Sequence, residues 1–172
     1  MSKPSEIGDF RMLVRPTVRV LLLDRDDRLL MIKCTTLGLT DSPPVFWATA
    51  GGGIEAGETI EAAARLEVLE ETGIFEIELG PVVWTEDAVL TFTGEPTTLF
   101  RLTYVVAHCT PTPLDSSHWT QQERDTILEL RWWALGELRA SAEHFYPAQL
   151  TQLLPDVLAG RFPAEPIVLM PR

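Results

Sequence analysis

The sequence predicts an α/β domain in which a mixed sheet carries helices on its faces. Several aliphatic, strand-like runs flank one helix that follows a glycine run near the middle of the chain, and further helical segments lie near the C-terminus. At 172 residues the chain suits a single domain, and a chain of that length buries roughly 70% of its unfolded surface. We expect this domain to span residues 1–172, with an extension at 1–13 and a tail at 161–172.

A series of segments has the aliphatic, β-branched and aromatic composition of strands. In chain order they are 17–23, 28–33, 45–50, 77–84, 88–92, 99–108 and 128–134. The polar residues 24–27 join the first two strands as a hairpin, and Gly94-Glu95-Pro96 forms a turn. Loops are expected at 37–44 and 110–117, where proline, serine and glycine accumulate.

Three of the tryptophans within these strands have expected positions. Trp47 is expected to pack in the core. Trp132 and Trp133 are neighbours in a strand and therefore face opposite sides. One of them is expected in the core, while the other either stacks on a nucleotide base or is covered by a helix.

The central helix has clear start and stop residues. Thr59 can cap its start with the side-chain hydroxyl, and Glu61 places a negative charge in the first turn, where the helix dipole favours it. Gly73 is the expected stop. The sequence therefore predicts a helix over 60–72. Two more helices are predicted at 135–142 and 147–158.

Three carboxylates of the central helix, Glu67, Glu70 and Glu71, fall within a sector of about 100°. Glutamates on a helix often form only a solvated acidic face. Here the rest of the same sector is apolar, with Ile60, Ala63 and Ala64 toward the helix start. A half-buried carboxylate cluster needs a cation, because like charges ~6 Å apart repel by about 2–3 kcal/mol per pair at an effective dielectric constant near 20.

The chemistry of the cluster favours a hard cation. Carboxylates without a nearby His or Cys suit Mg²⁺ or Mn²⁺ rather than Zn²⁺. Mg²⁺ is usually held by one or two protein carboxylates together with substrate phosphates. The sequence therefore points to a phosphorylated substrate.

Residues 52–74 resemble the Nudix hydrolase signature, Gly-x5-Glu-x7-Arg-Glu-U-x-Glu-Glu-x-Gly-U, where U is a bulky aliphatic residue. All fixed positions except one match, with no change of spacing. The resemblance implies a Nudix-like α/β/α sandwich, with the signature helix and the C-terminal helices packed on a mixed central sheet. It also implies a pyrophosphohydrolase that uses Mg²⁺ or Mn²⁺ to cleave a nucleoside diphosphate linked to another moiety. Subgroup markers are lacking, which leaves nucleoside triphosphates, damaged nucleotides and nucleotide sugars as substrates.

The same resemblance implies roles for individual residues. Glu67, Glu70 and Glu71 would be the catalytic carboxylates and metal ligands, and the backbone carbonyl of Gly51 would be a further ligand. One of these carboxylates, or a loop glutamate elsewhere, would assist the attacking water. Glu123 is the candidate loop base; its alternative role is a capping box with the threonine three residues earlier. Lys33 ends the second strand near where the family often carries a basic residue, so the resemblance implies a contact with a substrate phosphate; its alternative role is a solvated lysine.

The chain departs from the signature at Leu66, where the family has arginine, while Arg65 stands one position earlier. One helical position is a rotation of about 100°, so Arg65 is expected on the surface and away from the carboxylates. The resemblance implies that the family arginine orients the acidic cluster. Either another cation, such as Arg19, Lys33 or Arg101 from the sheet, takes over that role, or the site is looser. The competing hypothesis is a Nudix-fold binding or regulatory domain that hydrolyses slowly or not at all.

The net charge, the cysteines and the apolar runs limit the ligands and the cellular location that we expect. The net charge of −11 argues against a nucleic-acid polymer or an anionic membrane and leaves a small nucleotide as the expected ligand. Cys34 and Cys109 are expected to be buried, reduced thiols. No apolar leader or transmembrane run is present, so we expect a cytoplasmic protein. The apolar run 167–170 is expected to extend a sheet edge, of the same chain or of a partner subunit in a homodimer.

Overall fold

The computed structural model describes residues 12–35, 38, 43–110 and 112–170. Its strands are β1 (Leu13–Leu23), β2 (Leu29–Thr35), β3 (Val45–Ala48), β4 (Ile77–Leu90), β5 (Thr98–Cys109), β6 (Ile127–Trp133) and β7 (Ile167–Val168). Its helices are α1 (Ile60–Thr72), α2 (Gln121–Thr126), α3 (Leu135–Ala140) and α4 (Leu150–Leu158). The predicted extension at 1–13 and the loop at 37–44 lie largely outside the described residues.

The strands form one mixed, seven-stranded sheet in the order β3-β2-β1-β5-β4-β7, with β6 paired to β2. The long β1–β5 pairing is parallel, whereas β2 runs antiparallel to β3 and β6, and β4 runs antiparallel to β5. The predicted hairpin is confirmed, but β1 and β2 pair only at Leu23 and Leu29. The rest of that edge of β1 is therefore open to the glycine run.

The two faces of the sheet bury different side chains. One face is rich in aromatic residues and packs against α3 and α4, with Trp47, Trp84, Tyr104 and Trp133 among its buried members. The other face is aliphatic and packs against α1 through Ala63, Ala64 and Val68. Alternation along β1 produces this division, because successive residues of a strand point to opposite faces. The predicted α/β class with helices on both faces is confirmed.

The tryptophan predictions are confirmed for two residues. Trp47 is buried, and Trp133 lies 5.1 Å from it, edge to face. Trp132 points to the opposite face and is partly buried against the aliphatic core. Each buried large apolar side chain contributes about 2–3 kcal/mol through the hydrophobic effect.

One predicted strand boundary is wrong. The sequence predicts two strands at 77–84 and 88–92, but β4 is continuous from Ile77 to Leu90. Glu86, in the gap between the two predicted strands, is buried within β4. Its carboxylate accepts a hydrogen bond of 2.8 Å from the Tyr104 hydroxyl across the β4–β5 pair. A buried carboxylate with such a partner does not interrupt a strand.

The C-terminal elements follow the sequence with shifted ends. The helix predicted at 135–142 ends at Ala140, and the one predicted at 147–158 begins at Leu150. The apolar run at 167–170 does extend a sheet edge, because β7 pairs in parallel with β4 of the same chain. Among the residues that the structure describes, no helix has the length and apolarity that a membrane crossing requires.

Candidate active site

The signature helix α1 begins and ends where its sequence predicts. The hydroxyl of Thr59 accepts a hydrogen bond of 3.1 Å from the backbone N–H of Ala62. Gly73 ends the helix in a left-handed conformation with φ of 76°, and its N–H donates to the carbonyl of Leu69. These local contacts fix which side chains of α1 share a face.

The glycine run before α1 pairs with the open edge of β1. Val18 and Val20 donate their N–H groups to the carbonyls of Gly52 and Ala50 at 2.9 and 2.8 Å. Gly51 has φ of 142°, and a Cβ there would lie 2.1 Å from the carbonyl oxygen of Val18. Only glycine fits so close to another backbone. The run is thereby held between the sheet and α1.

Gly52 makes room for a carboxylate. A Cβ at this position would lie 2.4 Å from Oε1 of Glu67. The Glu67 side chain therefore rests directly against the backbone of the glycine run. The fixed glycine of the signature consequently has a local steric reason in this chain.

Glu71 is tied to the same run, because its Oε2 accepts a hydrogen bond of 2.8 Å from the N–H of Gly51. Burial raises the pKa of Glu71 to about 8, against this hydrogen bond and the nearby Arg19, with Glu67 and Glu123 adding repulsion. Burial, followed by repulsion from Glu70, raises the pKa of Glu67 to about 7. Arg19 again opposes that shift. Both carboxyl groups thus bind protons near neutral pH when no metal is present.

Glu70 differs from its two neighbours on the helix because it is exposed to solvent. In the part of the chain that the structure describes, no three His, Cys, Asp or Glu side chains are arranged to hold a metal ion. The structure therefore brings Glu67 and Glu71 against the glycine run, with Glu70 at the rim. The ligand set implied by the signature stays a prediction.

Arg19 is the sheet cation that reaches this site. Its Nη1 donates to the carbonyls of Thr49 and Gly51 at 3.2 and 3.3 Å. Its Nε is buried and has no hydrogen-bond partner among the described residues. The sequence indicates Arg19 only as one of three alternatives. Its position opposite the glycine run depends on the pairing of β1 with that run, which sequence periodicity does not reveal.

The other two alternatives are engaged elsewhere. The Nζ of Lys33 lies 3.3 Å from the carboxylate of Glu143 and 5.3 Å from the ring centre of Trp47. Arg101 forms an ion pair of 3.1 Å with Asp87 and is 58% exposed. The predicted phosphate contact of Lys33 stays a prediction, since its ammonium group already has a carboxylate partner.

Glu123 forms the capping box that is the alternative to its catalytic role. Its carboxylate accepts from the N–H of Thr120 at 2.6 Å, and its own N–H donates to the Thr120 hydroxyl at 3.2 Å. The preceding segment is fixed to the end of α1, because the indole of Trp119 donates to the carbonyl of Glu71 at 2.8 Å. This anchor places Glu123 near enough to raise the pKa values of Glu67 and Glu71.

The opposite side of α1 lines a groove of about 790 Å³. Leu66 is 45% exposed there. Arg65 is exposed, as predicted, and its Nη1 donates to the carbonyl of Ile77 at 2.8 Å. The guanidinium of Arg65 is thus directed toward β4 rather than toward the carboxylates.

Both cysteines are free thiols, as expected. Cys109 is buried and Cys34 is half-buried, so the expectation of burial holds fully only for the first. Burial raises the pKa of each thiol to about 11, which keeps both protonated at neutral pH. Neither has the reactivity of a low-pKa cysteine.

Comparison with known proteins gives consistent results. The family model of the NUDIX domain matches residues 13–154. The chain is 38% identical over 65 residues to an RNA pyrophosphohydrolase from Caulobacter vibrioides, covering 38% of this chain and 36% of that protein. It is 36% identical over 76 residues to the nucleoside triphosphatase NudI from Escherichia coli O139:H28, covering 41% of this chain and 50% of that protein. The chain therefore spans half or less of the length of these relatives.

The fold is also found among solved structures. A NUDIX hydrolase from Nitrosomonas europaea superposes with a TM-score of 0.53 at 24% identity, covering 86% of this chain and 90% of that one. Similarity at this level of identity shows the fold alone. It agrees with the mixed sheet and flanking helices described above.

Proposed function

Because the chain belongs to the NUDIX domain family, we propose that it is a divalent-metal-dependent hydrolase of the pyrophosphate bond in a nucleoside diphosphate linked to another moiety. One observation carries the proposal. Glu67 and Glu71, two carboxylates of the signature helix, are held against the glycine run in surroundings that raise their pKa values to about 7 and about 8. Carboxylates in this condition gain most from a bound cation, which replaces their protons and removes their mutual repulsion.

The donor set suits Mg²⁺ or Mn²⁺. Glu67, Glu70 and Glu71 offer hard carboxylate oxygens, and the carbonyl of Gly51 offers another. That carbonyl already accepts from Arg19, but a carbonyl oxygen has a second lone pair. We assign the metal to these four residues. When bound, the ion supplies charge neutralisation for the phosphates and lowers the pKa of a coordinated water.

The chain's own residues organise the site in two ways. The N–H of Gly51 orients the Glu71 carboxylate, and the absent side chain of Gly52 leaves the space that Glu67 occupies. Glu123 is the proposed general base, since its carboxylate lies near both glutamates on a segment fixed to the end of α1. Its bond to the Thr120 N–H occupies Oε2 and leaves the other oxygen for a water.

The proposed substrates are small nucleotides: nucleoside triphosphates, damaged nucleotides or nucleotide sugars. The names of the relatives, an RNA pyrophosphohydrolase and a nucleoside triphosphatase, support cleavage of a nucleotide phosphoanhydride. The net charge of −11 favours a small nucleotide over a long polyanion, because a bound cation reverses the field only locally.

A nucleotide panel tests the proposal. The purified chain is incubated with each class of substrate, and with a 5′-triphosphorylated RNA, in Mg²⁺ or Mn²⁺, and phosphate and pyrophosphate are measured. We expect turnover of at least one small nucleotide that stops in EDTA and falls at least about a hundredfold in Glu70→Gln. Full activity of Glu70→Gln, or in EDTA, would contradict the proposal.

The replacement of the signature arginine by Leu66 favours one alternative, a nucleotide-binding domain with little hydrolysis. The same panel separates the two. If the chain is a binding domain, the panel would show no turnover in any metal. Calorimetric titration with each nucleotide in Ca²⁺ would nevertheless show binding. We favour the enzyme because the three glutamates are all retained, which binding alone does not require.

A further inference from the structure

The signature helix lacks a cation on its carboxylate side. Arg65 is the only basic residue of α1, and its guanidinium is bonded to the carbonyl of Ile77 on β4. Leu66, at the signature position for arginine, is apolar and lines the groove on the other side of the helix. A positive charge that orders Glu67 and Glu71 must therefore come from another element.

Arg19 is fixed in place to supply that charge. Its neighbours in β1, Val18 and Val20, donate their backbone N–H groups to the glycine run at 2.9 and 2.8 Å. The backbone of Arg19 is consequently held in register with Gly51. Its side chain then reaches two carbonyls of the same segment, those of Thr49 and Gly51.

A continuous chain of contacts joins Arg19 to the helix. Nη1 of Arg19 donates to the Gly51 carbonyl at 3.3 Å, and the N–H of the same Gly51 donates to Oε2 of Glu71 at 2.8 Å. Arg19 holds the carbonyls of the residues on both sides of Ala50, which restricts rotation of the backbone between them. The peptide between them carries the Gly51 N–H, and its own carbonyl, that of Ala50, accepts from Val20 at 2.8 Å, so Val20 and Arg19 together hold this N–H toward Glu71.

The guanidinium also has a donor left over. Nε of Arg19 is buried without a hydrogen-bond partner among the described residues, although buried donors are normally satisfied. A water molecule or an acceptor from outside the chain would complete the hydrogen bonds of this group.

We propose that Arg19 is a positioning residue that takes over, from the sheet, the role of the arginine missing at Leu66. It holds the Gly51 peptide so that the N–H of Gly51 fixes Glu71 for metal binding. This inference rests on the proposed function, because the metal is part of it. The orientation of Gly51 itself can be tested without metal or substrate.

The first experiment measures Mn²⁺ binding to the metal-free chain, by electron paramagnetic resonance, in Arg19→Met and in the control Arg101→Met. Both variants remove one positive charge from the sheet, but Arg101 is exposed and paired with Asp87. We expect Mn²⁺ affinity to fall about tenfold or more in Arg19→Met and to change little in Arg101→Met. If Arg19 only repels the ion, its removal would tighten Mn²⁺ binding instead, and that result would overturn the proposal.

The second experiment measures hydrogen exchange of the Gly51 amide in the absence of metal. Loss of Arg19 should loosen the Gly51–Glu71 bond, so exchange at Gly51 should accelerate severalfold in Arg19→Met and not in Arg101→Met. Unchanged exchange and unchanged Mn²⁺ affinity together would refute the positioning role. This measurement remains decisive even if the chain hydrolyses no nucleotide, so failure of the two proposals can be told apart.

Arg19→Lys is the conservative variant and keeps the test valid if Arg19→Met does not fold. Lysine retains the charge but cannot donate in the fixed geometry of a guanidinium. We expect the Mn²⁺ affinity and the hydrogen-exchange rate of the Gly51 amide in Arg19→Lys to lie between those of the parent and of Arg19→Met. We expect kcat to fall about tenfold and KM to stay nearly unchanged. Parental kcat and parental Gly51 exchange in Arg19→Lys would show that charge alone matters and would overturn the positioning role.

Discussion

Two carboxylates that the fold withdraws from solvent, Asp24 fully and Glu71 in part, have opposite surroundings. Asp24, in the β1–β2 turn, is 3% exposed, and its Oδ1 accepts from the N–H groups of Asp26 and Arg28, both at 2.9 Å. Its Oδ2 forms an ion pair of 2.7 Å with the Arg28 guanidinium. Glu71 accepts one backbone N–H, and burial raises its pKa to about 8.

The difference distinguishes a structural carboxylate from a functional one. Burying a charge is costly unless hydrogen bonds and a counter-charge satisfy it. Asp24 has both, and it closes a turn in which Asp27 adopts a positive φ of 56°. Glu71 has too few partners for its charge, so it retains the capacity to bind a cation. We expect the two carboxylates to respond to neutralisation with opposite signs of stability change.

The largest expected effect is on catalysis in Glu71→Gln. The amide cannot serve as an anionic metal ligand, so we expect activity to fall at least about a hundredfold. The same change should raise the free energy of unfolding of the metal-free protein at pH 8, because no charge has to be desolvated. Steady-state kinetics and urea unfolding measure the two effects. A less stable metal-free variant would contradict the comparison.

The matched change at the structural carboxylate is Asp24→Asn. It removes the ion pair with Arg28 and weakens the acceptor of two backbone N–H groups, so the free energy of unfolding should fall by roughly 1–3 kcal/mol. Urea unfolding checks this value. Specific activity of the folded protein should be retained, since the turn is not part of the glycine run. A variant as stable as the parent would show that Asp24 is not needed to close the turn.

The pH dependence of stability should reflect the two glutamates beside the glycine run. The folded-state pKa values of Glu67 and Glu71 are raised to about 7 and about 8 from an ordinary value of 4.5. At a pH between 4.5 and these raised values, the folded state therefore binds more protons than the unfolded state. Metal-free stability should therefore fall as pH rises from about 4.5 to about 8, by at most about 1.4 kcal/mol per unit of pKa difference. Solvent screening reduces the contribution of each, because Glu67 and Glu71 are both half-buried by solvent accessibility. Thermal unfolding at several pH values measures this slope.

Two controls sharpen the pH prediction. Glu71→Gln should flatten the slope above pH 7, because its side chain no longer titrates. Saturating Mg²⁺ should restore stability at pH 8, because the ion binds the ionised carboxylates of the folded state only. A metal-free protein that gains stability between pH 5 and pH 8 would exclude raised pKa values at the cluster.

The smallest effects are expected on the far side of α1. Arg65→Ala removes one hydrogen bond to the Ile77 carbonyl and should change kcat/KM by less than about twofold. Exchanging the pair, Arg65→Leu with Leu66→Arg, restores the signature order. If Arg19 already serves the carboxylates, this exchange should leave turnover flat or lower. A clear gain in kcat would mean that the site is loose and that Arg19 does not serve it.

The ends of α1 and the grouping of its three glutamates are predictable from the sequence, because interactions between neighbouring residues determine both. Thr59 and Gly73 bound α1 through hydrogen bonds that span only a few residues. The helical period then places Glu67, Glu70 and Glu71 in one sector before any tertiary contact forms. The capping box of α2 has the same local origin.

Other features depend on contacts between distant parts of the chain. The continuity of β4 accords with the bond between Tyr104 and Glu86, and periodicity cannot reveal such a partner. Alternation along β1 shows which residues face the core, but it does not show that β5 pairs in parallel on one side. It also gives no sign of the glycine run on the other side.

The sequence by itself determined that three glutamates share one helical face behind a glycine run, because both features arise from neighbouring residues. Only the tertiary structure decided which cation lies beside them. In the sequence, Arg19, Lys33 and Arg101 are equivalent, because each is a basic residue in a strand. Only the long-range pairing of the strands gives them different neighbours. That pairing places Arg19 beside Gly51 and leaves Lys33 with Glu143 and Arg101 with Asp87.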